Sequence, residues 1–163
     1  MKLELKNVRV NLAFSQETTM FKADLFVNGK KVAYANNDGH GGDTFYHVYN
    51  KSLNELLSQA EEYATTEIKS TLENWIDSYI DNYVNEKETV KFKKKMEKDM
   101  LNYIVYGLKE NAYTCVGWSN VTIAQMLISP KGRQMLLSKL NEIKNTGNKI
   151  FNTNIPKDFL EIA

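Results

Sequence analysis

The stretch Phe21-Lys22-Ala23-Asp24-Leu25-Phe26-Val27-Asn28-Gly29-Lys30-Lys31-Val32-Ala33-Tyr34-Ala35-Asn36 decides the fold class. Its centre, Asn28-Gly29, accepts positive φ at both positions, as the tight type I′ hairpin turn requires. In a two-residue hairpin the paired positions have a constant sum, so Leu25 is expected opposite Val32, Ala23 opposite Tyr34 and Phe21 opposite Asn36. Lys22, Asp24 and Phe26 then fall on the other face.

Strand signals extend to both sides of this hairpin. Leu3 and Leu5 alternate, and Val8, Val10, Leu12 and Phe14 alternate in the opposite phase. A strand cannot change phase without a bulge or kink, which belongs at Lys6-Asn7. After the hairpin, Asn36-Asn37-Asp38-Gly39-His40-Gly41-Gly42-Asp43 reads as a loop, and Thr44 to Tyr49 as a fourth strand. The expectation is an antiparallel β-meander of three to four strands over residues 1–50.

The remainder reads as helix. Ser52-x-x-Glu55 resembles a capping box. From Leu53, Leu56 and Leu57 an apolar stripe runs through Ala60, Ala64, Ile68, Leu72, Ile76 and Ile80 to Tyr83. This predicts one long helix over 52–84, which the β-branched pair Thr65-Thr66 weakens and Asn85 ends. A second helix is expected over 86–108, closing a long helical hairpin. A short helix capped by Ser119 or Asn120 runs through Leu127. Ser129-Pro130 starts another, carrying Leu136, Leu140 and Ile143, and Gly147 stops it. Strands first and helices after make an α+β fold, with the helical region 51–163 packed on the sheet as one domain.

Composition narrows the function. The chain has 163 residues and a net charge of +1, which argues against a nucleic-acid binder that is basic all over. Of its 21 basic residues, 19 are Lys and 2 are Arg, so the bidentate fork used for duplex base readout is nearly missing. The single Cys115 excludes a disulfide framework and suits a reducing cytoplasm. No secretory signal opens the chain, and no apolar run is long enough to cross a membrane.

The glycine-rich loop is the main candidate for chemistry. Asn37, Asp38, Gly39, His40, Gly41, Gly42, Asp43, Thr44 and His47 hold both histidines of the chain and two carboxylates. Successive glycines let backbone N–H groups converge as a nest for phosphate, which suggests a small anionic ligand such as a nucleotide. Asp38, His40, Asp43 and His47 are also the residue types of a divalent-metal site, but their spacing matches no standard set, and no metal or cofactor is assigned. The loop has no P-loop lysine, and its context is not that of a dinucleotide fingerprint. The plain alternative is a turn between strands.

A second candidate is Lys91, Lys94, Lys95 and Lys98, which share one helical face and suit nonspecific contact with phosphates. The aromatic residues of the helical half, Trp75, Tyr79 and Tyr83 among them, continue its apolar stripes and read first as core. A long apolar stripe on a helical hairpin also suits a homodimer.

From Phe21 through the hairpin to Asn36-Asn37-Asp38-Gly39-His40-Gly41-Gly42, the chain resembles small uncharacterised proteins encoded by bacteriophages and prophages. The resemblance spans about residues 5 to 48. It implies a mobile-element origin and a role in binding host or defence components. Taken together, the sequence suggests a non-enzymatic phage-type binding protein that sequesters a small anionic ligand or blocks a host protein. A nonspecific nucleic-acid binder is the first alternative, and a metal-dependent hydrolase the second.

Overall fold

Asn28 and Gly29 take φ of 50° and 81° and close the hairpin between β2 (Phe21–Val27) and β3 (Lys30–Asn37). This is the turn that Asn-Gly was expected to make. The computed structural model describes residues 1–162. β1 (Leu3–Val10) and β4 (Phe45–Val48) flank the hairpin, and the four strands form an antiparallel sheet in the order β1-β2-β3-β4. The bulge expected at Lys6-Asn7 is present. The register shifts between Lys6 and Arg9, and Asn7 takes a positive φ of 53°.

The hairpin register differs from expectation by one residue. Val27 pairs with Lys30 and Phe26 with Lys31, as a two-residue turn dictates. The register then shifts, so Leu25 faces Ala33, Ala23 faces Ala35 and Phe21 faces Asn37. The extra residue is Val32, which is fully buried. A second bulge therefore sits beside the turn.

The helical half departs further from expectation. A 3₁₀ turn, Lys51–Leu53, precedes α1 (Asn54–Tyr63). The side chain of Asn50 accepts from the N–H of Ser52, and this takes the place of the expected Ser52 cap. The stripe over 52–84 is not one helix. After α1 the chain widens into a π turn, Ala64–Ile68, and Lys69 adopts left-handed φ and ψ of 61° and 37°. Thr65 and Thr66 donate their hydroxyls to the carbonyls of Glu61 and Glu62, at 3.0 and 2.9 Å. Such back-bonding competes with the regular ladder and bends helices. The Thr71 hydroxyl then accepts from the N–H of Asn74 at 3.0 Å, capping α2 (Leu72–Met100).

α2 runs straight past Asn85, because Glu86 to Lys98 is rich in good helix formers. The bend between the two helices therefore falls at Lys69, not at Asn85. Nor does a helix occupy 103–108. β5 (Tyr103–Lys109) and β6 (Ala112–Gly117) form a second hairpin, and β7 (Lys149–Ile150) completes a sheet in the order β6-β5-β7. Around it lie α3 (Ile123–Ile128), α4 (Pro130–Asn145) and α5 (Lys157–Ile162). Thr122 caps α3 in a capping box with Gln125, so the expected Ser119 or Asn120 cap is displaced by two to three residues. Ser129 caps α4 with Pro130 at its first position, as read from the sequence.

The architecture is α+β, with an N-terminal four-stranded sheet followed by helices. The chain divides into two compact units, Met1–Lys87 and Glu88–Ala163. In the first, Leu5, Phe21, Leu25 and Val27 on the inner sheet face pack with Ala60, Ala64, Leu72, Ile76 and Ile80. Each fully buried Leu or Ile here contributes about 1.5–3 kcal/mol. The second has its own core of Ile104, Ile123, Leu136, Leu140 and Ile143, and Val105 packs on Met96 and Met100. No helix among the described residues is long and apolar enough to cross a membrane.

Candidate functional site

Asn37, at the end of β3, organises the glycine-rich loop. It is buried, and its side chain makes four hydrogen bonds. Its Oδ1 accepts from the Thr18 hydroxyl at 2.7 Å and from the N–H of Gly39 at 2.8 Å. Its Nδ2 donates to the Gly42 carbonyl at 2.9 Å and to the Thr44 hydroxyl at 3.2 Å. Gly39 takes a φ of 88°, and a Cβ there would lie 2.8 Å from the Phe14 carbonyl oxygen. Only glycine fits this position.

Three backbone amides of the loop that an anion nest would use are already engaged. Gly39 donates to Asn37, His40 to the Asp38 carboxylate at 3.1 Å, and Gly41 to the Thr18 hydroxyl at 3.2 Å. Asp38, His40, Gly41, Gly42 and Asp43 are exposed, and His40 Nδ1 lies 3.6 Å from Asp38. His47 is not part of this loop. It sits in β4, opposite Tyr34. Among the described residues, no three His, Cys, Asp or Glu side chains come together as a metal site, so Asp38, His40, Asp43 and His47 do not converge.

Asn37 and Gly42 line a groove of about 350 Å³, together with the segment Ser15 to Thr19 and with Asp77 and Asp81 of α2. Its charge opposes the anion reading, because Glu17, Asp77 and Asp81 line it and neither Lys nor Arg does. Thr44 ties the loop to α2, its N–H donating to Glu73 at 2.8 Å and its hydroxyl to Asp77 at 2.5 Å. Burial pushes the Asp77 carboxyl above its ordinary range, the Thr44 hydroxyl partly offsets this, and Glu73 and Asp81 add to the rise. Burial likewise pushes the Tyr46 phenol up to about 12, reinforced by its hydrogen bond to Glu61.

The opposite face of the sheet presents a different surface. The helices of this unit cover only the inner face. Outward from β1 and β2 point Glu4, Lys6, Arg9, Lys22, Asp24 and Phe26, and from β3 and β4 Tyr34, Asn36, Phe45 and His47. Two rows cross the four strands as Cα partners. One is Arg9, Lys22, Asn36 and Phe45, and the other is Lys6, Asp24, Tyr34 and His47. Phe45 is 56% exposed and Tyr49, just after β4, is 49% exposed. The Phe45 and His47 rings are parallel to within 2°, with centroids 6.4 Å apart.

One buried carboxylate anchors this face. Asp24 accepts from Asn7 at 2.7 Å and from the Tyr49 hydroxyl, and pairs with Lys31 at 2.9 Å. Burial alone would raise its carboxyl, but the bonds from Tyr49, Asn7 and Lys31 outweigh burial and hold it below the usual range. Lys31 lies over the Tyr49 ring at 4.3 Å and Lys6 over the Phe26 ring at 4.5 Å. Sequence reasoning gave this face no role, although the alternation Phe45-x-His47-x-Tyr49 already put three rings on one side of a strand.

Lys91, Lys94, Lys95 and Lys98 lie in the second half of α2, all exposed, while Phe92, Met96 and Met100 turn to the core. This is the separation of faces that the spacing predicted. Cys115 is an exposed residue of β6, but partial desolvation of its thiol, followed by the Asp99 charge, raises its pKa, and Lys95 partly offsets this. No family model, curated protein or solved structure matches this chain.

Proposed function

We propose that the chain is a non-enzymatic binding protein that works through the open face of its N-terminal sheet. One observation carries this reading. That face holds exposed, aligned rings on β4 and the basic side chains Arg9 and Lys22, which have no ion pair among the described residues, and no helix of the unit covers it. Exposed aromatic side chains held on a rigid sheet lose little entropy on binding and give large contact area. The glycine-rich loop supports the reading from the other side, since the amides of Gly39, His40 and Gly41 are engaged and its groove is acidic. Sequestration of a small anion at the loop is therefore no part of the proposal.

The phage-type origin and a host or defence component as partner enter this reading through the resemblance over about residues 5 to 48, and the cytoplasmic setting through the single Cys115. A homodimer does not enter it, because the stripe that suggested one is spent inside the first unit, where Leu72, Ile76 and Ile80 are buried.

The test is capture from a bacterial lysate. Wild-type chain is compared with Phe45→Ala/His47→Ala, whose exposed side chains leave the core intact. The wild type should retain a component that the double variant loses. If both retain the same set, the open face is not the working surface.

A further inference from the structure

The geometry points to single-stranded nucleic acid as the ligand of the open sheet face, an inference that rests on the binding reading above. It starts from charge. Arg9 and Lys22 are direct Cα partners across β1 and β2, and both are exposed. Like charges directly opposite on a sheet destabilise it, and an anion between them removes that cost. The carboxylates of this face are already paired. Glu4 lies 2.9 Å from Lys2 and 3.9 Å from Lys6, and Asp24 lies 2.9 Å from Lys31. Among the described residues, neither Arg9 nor Lys22 has a carboxylate within ion-pair distance. Two positive charges therefore stand free at one side of the face.

The other side is aromatic. The row that begins with Arg9 and Lys22 ends at Asn36 and Phe45, and the next row ends at Tyr34 and His47. Four strands at about 4.8 Å spacing put roughly 14 Å between the basic and aromatic sides. A groove of about 300 Å³ on this face is lined by Arg9, Lys22, Asp24 and Tyr34 among others. A backbone of phosphates on one side with splayed bases stacking on rings on the other is the pattern by which flat sheets hold single strands. A duplex keeps its bases stacked internally and offers these rings nothing. An acidic protein segment would satisfy Arg9 and Lys22 but leave the parallel pair Phe45 and His47 without a planar partner.

The test is fluorescence anisotropy of the full chain with labelled oligo-dT and oligo-U of about 20 nucleotides, which exceeds one such site, and with a duplex of equal length. Both single strands should bind and the duplex should bind more weakly. Affinity should fall between about 50 and 200 mM salt, and Arg9→Ala/Lys22→Ala should flatten the slope of log affinity against log salt by about 1.4. Phe45→Ala should weaken binding roughly five- to a hundredfold, as loss of one stacked base does. Changing Lys91, Lys94, Lys95 and Lys98 to Ala should leave binding in place. Circular dichroism of each variant verifies folding, and Arg9→Gln/Lys22→Gln serves as a second pair that keeps side-chain bulk.

Absence of single-strand binding at low salt, equal duplex binding, or binding lost only on changing the α2 lysines would each overturn the inference. If oligonucleotides fail while lysate capture still depends on Phe45 and His47, the partner is a protein and the binding reading stands. If capture is also independent of them, both fall.

Discussion

Asp24 and Asp77 show how the same residue type takes opposite roles on the two sides of one sheet. Asp24 is held below the usual carboxylate range, so its contribution to stability is present above about pH 3.9 and is lost as pH falls through its lowered value. Asp77 is pushed up by burial, so its ionised form costs stability at neutral pH. The cost fades as pH falls through the raised value and is gone below about pH 3.9. Asp77→Asn keeps the oxygen that accepts from Thr44 and removes the charge. The variant should melt higher than wild type at pH 7, with the difference vanishing near pH 4 in paired thermal scans. A variant no more stable at pH 7 would contradict the assignment. Neither role was legible in the sequence, where Asp24 stands between Ala23 and Leu25 and Asp77 between Ile76 and Ser78. What separates them is the set of donors that distant segments bring, Asn7 and Tyr49 to Asp24, Thr44 to Asp77.

At the scale of elements, legibility follows how local the determining physics is. Asn28-Gly29 and the phase change at Lys6-Asn7 each depend on a few neighbouring residues, and both were readable. The Val32 bulge was not, because the pattern near the turn fits either register. The break at Lys69 was hidden under an apolar stripe that continues through it, since both helices use the stripe on the same core. Thr71 gave the missing signal as a cap. Lys69 pays for a left-handed conformation that glycine adopts freely. Lys69→Gly should therefore raise stability by about 0.5–1 kcal/mol in urea titration, and Lys69→Val should lower it. A destabilised glycine variant would show that the Lys69 side chain matters more than its φ. Residues 103–108 of β5 read as helix because both faces of the strand are buried, Ile104 toward one core and Val105 toward another. That erases the alternation which marks a strand with one wet face.

At the scale of the whole molecule, the chain holds two units with separate cores, and α2 contributes Ile76 and Ile80 to one and Met96 and Met100 to the other. Asn152 plays in the second unit the part that Asn37 plays in the first. Its Oδ1 accepts from Val105 at 2.6 Å, and its Nδ2 donates to Met100, Tyr103 and Asn154. Asn152→Ala leaves buried backbone groups without partners and should cost at least about 2 kcal/mol. In hydrogen exchange, Tyr103–Lys109 should lose protection while Phe21–Val27 keeps it. Equal loss in both would show that the two cores unfold together.

Charge placement is also a property of the whole. A near-neutral total conceals an acidic groove beside the glycine-rich loop and free cations on the opposite face of the same sheet. The sequence drew attention to the loop because glycines and histidines cluster there. The open face stayed unread because it is defined by which side the helices cover, and no local pattern states that. Its use as the working surface is tested most directly by comparing what wild-type chain and Phe45→Ala/His47→Ala retain from the same lysate. The account predicts a component bound by the wild type and absent from the double variant, with both chains equally folded. Identical retention by the two would contradict it.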